Sequence, residues 1–321
     1  MIRWGLIGCG DVAEQKSGPG FQKATDSALV AVMRRDAARA ADFAARHGVP
    51  RWYSDARALV HDPEVDAVSI ATPPSSHLEL ALLACAAGKP TLVEKPMALS
   101  HGDCVRMVEA FRAASVPLFV AYYRRAQLRF RQLKQWVESG AIGVPRAALV
   151  QLTAPPPRVD PDHLPWRLRP AISGGGLFAD LGCHTLDLLD FVLGPITEVC
   201  GFAGNQGQLY GAEDAVAMSF RFQCGAHGQG AWQFNTAEQR DRLEILGSEG
   251  SVAVSTFGSD PLVLREADGR ETRFDLPMSA PVQQPLIQTV VDELLGRGQC
   301  PSTGDSGART AWVMDQVLRG S

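Results

Sequence analysis

An apolar run at residues 2–7 breaks directly into Gly8-Cys9-Gly10-Asp11-Val12-Ala13, and few folds accept that join. A buried strand ending in G-x-G-x-x-A must turn tightly at the first glycine and keep the second bare. It must also pack a small residue where helix meets strand. The turn opens on a helix N-terminus, whose free N–H groups attract a pyrophosphate. Gly8, Cys9, Gly10, Asp11 and Val12 are therefore the expected phosphate loop of a dinucleotide. Alone the motif is weak, but the sequence around it supplies the context it needs. Short apolar runs recur at 28–33, 67–71, 91–93 and 118–121, with a shorter one at 51–53. Helical patterns occupy 37–47, 55–61, 76–87 and 101–114 between them. Such alternation builds a parallel sheet with helices on both faces. The expectation is a doubly wound dinucleotide-binding domain over 1–122. One irregularity is Ser17-Gly18-Pro19-Gly20, where the first helix should continue. Proline and two glycines predict a break and a restart near Pro19, with Lys16 and Ser17 near the phosphates.

Ligands of such a sheet bind at the C-terminal ends of its strands. The second strand ends in Met33-Arg34-Arg35-Asp36. A carboxylate in this region would accept the adenosine ribose 2′-OH of NAD, whereas a guanidinium suits the 2′-phosphate of NADP. Arg34 holds the expected place, so NADP is favoured over NAD, with Arg35 set to stack on adenine. The fourth strand ends in Ala71-Thr72-Pro73-Pro74-Ser75-Ser76-His77. Thr72 and Pro73 should lie along the cofactor, Ser75 or Ser76 should cap the next helix, and His77 is placed to reach a ribose. The fifth ends in Glu94-Lys95-Pro96, with Lys95 expected to donate to a substrate oxygen and Glu94 to orient it or touch the cofactor. The Lys95-Pro96 bond suits a cis peptide.

After Tyr122 the repeat stops, and 123–321 reads as a second domain. A helix is expected over 127–139. Alternating runs at 146–153, 196–203, 215–223, 226–234, 241–246 and 251–255, with a hairpin of 262–266 and 271–275, give a mostly antiparallel sheet. Helices at 282–297 and 306–318 close the chain. The arginines between 124 and 131 read as a solvated helix face. Within this domain Ser173-Gly174-Gly175-Gly176 leads into a helical pattern carrying Asp180, His184 and Asp187, which share one α-helical face. A carboxylate beside an imidazole makes a proton-transfer pair near neutral pH. No further ligand cluster accompanies it, so no metal is expected. Trp166 and Arg167 precede the glycines, and an indole stacks well on sugar C–H faces. The 154–170 stretch reads equally as a lid or as a rigid loop.

The net charge of -4 provides no overall basic field for nucleic acid or anionic membrane. No apolar run is long enough to span a bilayer. The chain enters a strand at once, and its seven cysteines show neither zinc-ligand nor redox spacing. The expectation is a cytoplasmic protein with reduced thiols.

Together, Gly8–Ala13, Ala71–His77, Glu94-Lys95-Pro96, the glycine-led stretch through Asp187 and Thr303-Gly304-Asp305 follow the order of one family. The whole chain resembles the glucose–fructose oxidoreductase / inositol dehydrogenase / rhizopine catabolism (Gfo/Idh/MocA) oxidoreductases. The resemblance implies a Rossmann domain joined to an α/β domain with a large open sheet. It implies homo-oligomers, dimers or tetramers, through that sheet. It also implies hydride transfer between a nicotinamide and a sugar, polyol or related alcohol. Lys95, Asp180 and His184 match the family's catalytic lysine, aspartate and histidine. Tyr123 and Arg124 stand where the family often has Asn and Arg, which places them at cofactor and substrate. Two other functions use the same motifs: a cofactor-sensing regulator without turnover, and a glycoside-cleaving enzyme that keeps its nicotinamide bound.

Overall fold

The six strands expected in the first half form one parallel sheet. They are β1 (Ile2–Ile7), β2 (Ser27–Met33), β3 (Arg51–Tyr53), β4 (Ala67–Ile70), β5 (Thr91–Val93) and β6 (Leu118–Val120), in the order β3-β2-β1-β4-β5-β6. This computed structural model describes residues 1–319. β4, β5 and β6 are buried along their whole length, as their unbroken apolar runs require when helices cover both faces. Strand order reverses between β1 and β4, so the crevice of the fold opens beside the end of β1. By packing, the chain divides into two units, Met1–Gln127 with Ser279–Ala308, and Leu128–Met278 with the residues from Arg309 on. The first unit thus takes more than the expected 1–122. Ser302 donates its hydroxyl to the Val120 carbonyl, Arg125 donates to Pro301, and Gln127 donates to Val282.

The break expected at Ser17–Gly20 does not occur. Helix runs from Asp11 to Lys23, with a wide π turn over Ala13–Ser17. The wide turn lets the Gly18 N–H reach the carbonyl five residues back, at Ala13. Pro19 then falls in the first turn of the α-helix Gly18–Lys23, where its missing donor costs little.

The second unit is built on an eight-stranded mixed sheet. Its strands are β7 (Pro145–Thr153), β8 (Ile196–Gly204), β9 (Ala215–Phe222), β10 (His227–Gln233), β11 (Arg240–Gly247), β12 (Gly250–Val254), β13 (Leu262–Glu266) and β14 (Glu271–Phe274). The order is β14-β13-β12-β11-β7-β10-β9-β8, and only β7 and β10 pair in parallel. Alternation along β9 puts Val216, Met218, Phe220 and Phe222 inward. The inner core includes Trp232 of β10, whose ring meets Phe178 edge-on at 5.2 Å. Truncating either buried ring to alanine should cost about 3–5 kcal/mol.

Candidate active site

At the end of β1 the glycine motif does what its spacing requires. Gly8 has φ +99°, and a Cβ there would lie 2.8 Å from the Ala71 backbone. Gly10 differs, because a Cβ there meets nothing in the chain. The protein's own packing sets no demand for glycine at Gly10, whereas the close approach of a pyrophosphate would. Ala13 is fully buried in the helix–strand contact. The residues therefore fit a dinucleotide. Cys9 is buried, and burial pushes its thiol pKa up, so the side chain is inert and the backbone is what it offers.

Arg34 donates from Nη1 to the Cys9 carbonyl at 2.9 Å, which ties its guanidinium to the glycine loop. Arg35 is exposed. The Asp36 carboxylate accepts from the Arg39 N–H at 3.1 Å and caps helix Ala37–His47. At the end of β4, Thr72 accepts from the Ser76 hydroxyl at 2.8 Å. Neither Ser75 nor Ser76 caps the following helix: Ser76 occupies the N-cap, but its hydroxyl is turned back to the strand end.

His77 is completely buried. Its Nδ1 faces the carbonyls of Pro96 at 3.0 Å and Met97 at 3.3 Å, and its Nε2 faces that of Thr72 at 2.7 Å. That leaves neither ring nitrogen for the ribose contact expected from sequence. The ring instead clamps the turn after β4 to the turn after β5. Burial pulls its pKa below the ordinary histidine range, against the three carbonyls that favour the charged ring.

Lys95 follows β5 and is partly exposed, and the Lys95-Pro96 bond is cis. Glu94 is only 8% exposed. One carboxylate oxygen accepts from the Lys95 N–H at 3.2 Å and the other from Gln283 Nε2 at 2.5 Å. Burial raises the Glu94 pKa, while Gln283 and the charges of Lys95 and Lys16 act to lower it. Beyond β6, Tyr123 and Arg124 are buried, with the guanidinium 4.9 Å from the tyrosine ring centroid. Arg125 and Arg129 are buried too, which overturns the solvated face expected for 124–131 at every arginine but the last, Arg131, which is exposed. A planar guanidinium with five donors is buried where carbonyls meet it. Arg129, in the second unit, donates to Gly258 at 3.0 Å and Asp260 at 2.7 Å.

In the second unit the glycine-led stretch opens with a π turn, Phe178–Gly182, and continues as the α-helix Cys183–Leu193. The uniform α-helix expected there is thus corrected at its start. Asp180 lies in the wide turn and His184 one residue into the α segment. The ring of Phe178 closes on Gly182, where a Cβ would lie 2.5 Å from it. The glycines before the turn make room for Glu213, whose carboxylate accepts from the Gly176 N–H at 2.6 Å. A Cβ on Gly176 would lie 2.6 Å from the Glu213 carbonyl.

Asp180 Oδ2 is 3.5 Å from Arg167 Nε, and that guanidinium lies 4.5 Å from the Trp166 ring centroid. Trp166, Arg167 and Asp180 therefore form a line of contacts, with the indole partly exposed. His184 is buried and meets Phe257 edge-on at 5.9 Å. The Phe257 loop is held by Asp241, whose carboxylate accepts from the N–H groups of Thr256, Phe257 and Gly258 at 2.9, 2.6 and 2.9 Å. Asp187 is buried, and Asp190 takes a bidentate pair from Arg309 at 2.7 and 2.8 Å. Lys95 belongs to the first unit, and Trp166, Asp180 and His184 to the second. Gln283, Glu213 and Asp241 carry no local sequence signal. Each reaches its partner from a distant stretch of chain. Among the described residues no group of three or more His, Cys, Asp or Glu is arranged to hold a metal, and no helix is long and apolar enough to cross a membrane.

Residues 2–122 match an oxidoreductase family with an NAD-binding Rossmann fold, and residues 130–253 match the GFO/IDH/MocA C-terminal domain. An oxidoreductase of Formosa agariphila is 36% identical over 98% of this chain and 97% of its own. The 1,5-anhydro-D-fructose reductase of Ensifer adhaerens is 33% identical over 96% and 92%. Among solved structures, an NAD binding oxidoreductase from Klebsiella pneumoniae superposes with a TM-score of 0.88 at 25% identity, covering 99% of this chain and 96% of that one.

Proposed function

The chain belongs to the GFO/IDH/MocA oxidoreductase family, and from that premise we propose that it transfers hydride reversibly between a nicotinamide dinucleotide and a CH–OH group of a sugar, polyol or related alcohol. What carries this reading is the motif set: a phosphate loop whose second glycine the protein itself does not need, Lys95 at a ligand-side strand end, and Asp180 with His184 on one continuous helix. When bound, the cofactor supplies or takes the hydride. The rest is acid–base work and orientation. His184 takes the proton from the substrate hydroxyl in oxidation and returns it in reduction. Lys95 donates to the same oxygen and steadies its growing negative charge. Asp180, aligned by Arg167, holds a neighbouring hydroxyl or the imidazole, and Trp166 offers a face to the sugar C–H groups.

The test is cofactor absorbance on adding aldoses, inositols, keto-sugars and dihydrodiols. His184→Ala and Lys95→Ala should each lower kcat by about a hundredfold or more, the range for losing an acid–base group. Full turnover in both variants would sink the assignment.

For the cofactor we propose NADP ahead of NAD. Arg34 supports this, fixed on the glycine loop with further N–H donors to spare, as does Asp36, whose carboxylate is committed to a helix cap. Arg34→Ala should lower kcat/KM for NADPH by about tenfold or more and leave NADH nearly unchanged, since a charge-assisted guanidinium–phosphate pair is lost. Equal losses for both cofactors would reject the preference. The protein works as a homo-oligomer formed through the open face of the second sheet.

A further inference from the structure

We infer that Gln283 is a positioning residue for Lys95: it holds the buried Glu94 carboxylate in the orientation and charge state that Lys95 needs. This rests on reading Lys95 as the group that stabilises the reacting oxygen. Gln283 is 2% exposed and lies 189 positions from Glu94, yet their side chains meet at 2.5 Å. The second Glu94 oxygen accepts from the Lys95 backbone, so the carboxylate spans the lysine it serves and an amide from the far end of the chain. The charged groups acting on Glu94 are Lys95 and, from the first helix, Lys16. His77 meets the same turn from the other side, through the Pro96 and Met97 carbonyls.

The route by which Gln283 arrives explains the odd sequence of the first helix. A Cβ on Gly20 would lie 2.7 Å from Ile287 Cδ1 and 3.4 Å from the Gln284 backbone nitrogen. Glycine at position 20 thus lets helix Gln284–Leu294 start against the cofactor-side helix, with Gln283 at its N-cap turned onto Glu94. An amide suits the task. It donates to the carboxylate without cancelling its charge, so the full negative charge still acts on Lys95. A lysine at 283 would compete with Lys95 for that charge. An aliphatic residue would leave a buried oxygen with no donor.

Gln283→Met in the full chain removes the donor at nearly constant volume. Glu94 then binds a proton more readily, Lys95 loses the adjacent negative charge, and the ammonium releases its proton at lower pH. Three readouts apply: the pH dependence of Lys95 reductive methylation measured by peptide mass spectrometry, kcat and KM, and NADPH affinity from fluorescence. The labelling midpoint should fall by about one pH unit. kcat should fall roughly ten- to a hundredfold with little change in NADPH affinity, as for a misplaced catalytic group. In Gln283→Glu the two carboxylates regain a shared proton as pH falls. That variant should recover turnover at low pH, and Gln283→Met should not. A purely structural role predicts no such difference.

The proposal is overturned by a Gln283→Met protein whose Lys95 midpoint and kcat match wild type. It is equally overturned by a Gln283→Glu protein with the wild-type pH profile, and this second variant decides the matter alone if the first fails to fold. Wild-type protein inactive with every alcohol, with the Lys95 labelling midpoint still lowered in Gln283→Met, would refute the redox reading and leave the positioning role standing.

Discussion

Burial makes the Glu94 carboxyl harder to ionise than it is in water, and that has a measurable signature in pH. Burial raises its folded pKa above the unfolded value. Between the two values the native chain holds the proton and the unfolded chain does not. Stability therefore falls as pH rises through that window. Glu94→Gln abolishes the dependence, so the variant should melt above wild type at neutral pH and the gap should close as pH falls. Its turnover should drop, because the charge acting on Lys95 is gone. Melting curves from pH 4 to 8 check the sign, and a gap that widens on acidification would contradict it. The placement of single residues was legible in the sequence where an element end fixes it: Gly8 and Gly10 follow β1, Lys95 follows β5, and Asp180 and His184 follow the glycines. His77 was not, because a histidine at a helix start looks the same whether its nitrogens face a ribose or three carbonyls. Arg125 and Arg129 are buried against backbone carbonyls, which sequence does not display.

At the scale of elements, apolar runs bounded by turn residues located every strand of both sheets to within a residue or two. The two π turns leave no signature in the sequence. An α-helical period contains no mark for one extra residue per turn, and proline with glycine reads as a break although a wide turn absorbs both. The loop over Thr256–Gly258 is another element set by long-range bonds. Asp241 accepts all three of its N–H groups, and Phe257 carries the result to the edge of His184. Asp241→Ala strips those donors of their acceptor and should destabilise the fold by about 1–3 kcal/mol. It should lower kcat while leaving cofactor affinity intact, since the loop meets the imidazole within the second unit and the phosphate loop belongs to the first. Asp241→Asn, which keeps one carbonyl oxygen, should fall between. If kcat survives Asp241→Ala despite the lost stability, the loop has no part in setting His184.

On the scale of the whole molecule, alternating strands and helices followed by alternating strands gave the two architectures, but the sequence order hid a return. Residues 279–308 pack with the first 127, because Ser302, Pro301 and Val282 meet β6 and the turn after it. The second sheet has an open face whose makeup follows from register. Phe202, Ala217, Ala231 and Gln151 line up across β8, β9, β10 and β7, and Cys200, Ser219, Gln229 and Leu149 form the next row. Phe202 is 85% exposed, and its neighbours across the strands are small. A flat face of alanine and serine with a projecting phenylalanine suits a second copy of the same sheet better than water. Phe202→Glu with Leu149→Glu puts like charges on the surface proposed to pair with a second copy, so that negative charges of both copies would meet there. The double variant should elute as a monomer in size-exclusion chromatography with light scattering, at concentrations where the proposed wild-type oligomer forms. NADPH affinity should be retained, because the phosphate loop lies in the first unit. An unchanged oligomer would remove the open face from consideration.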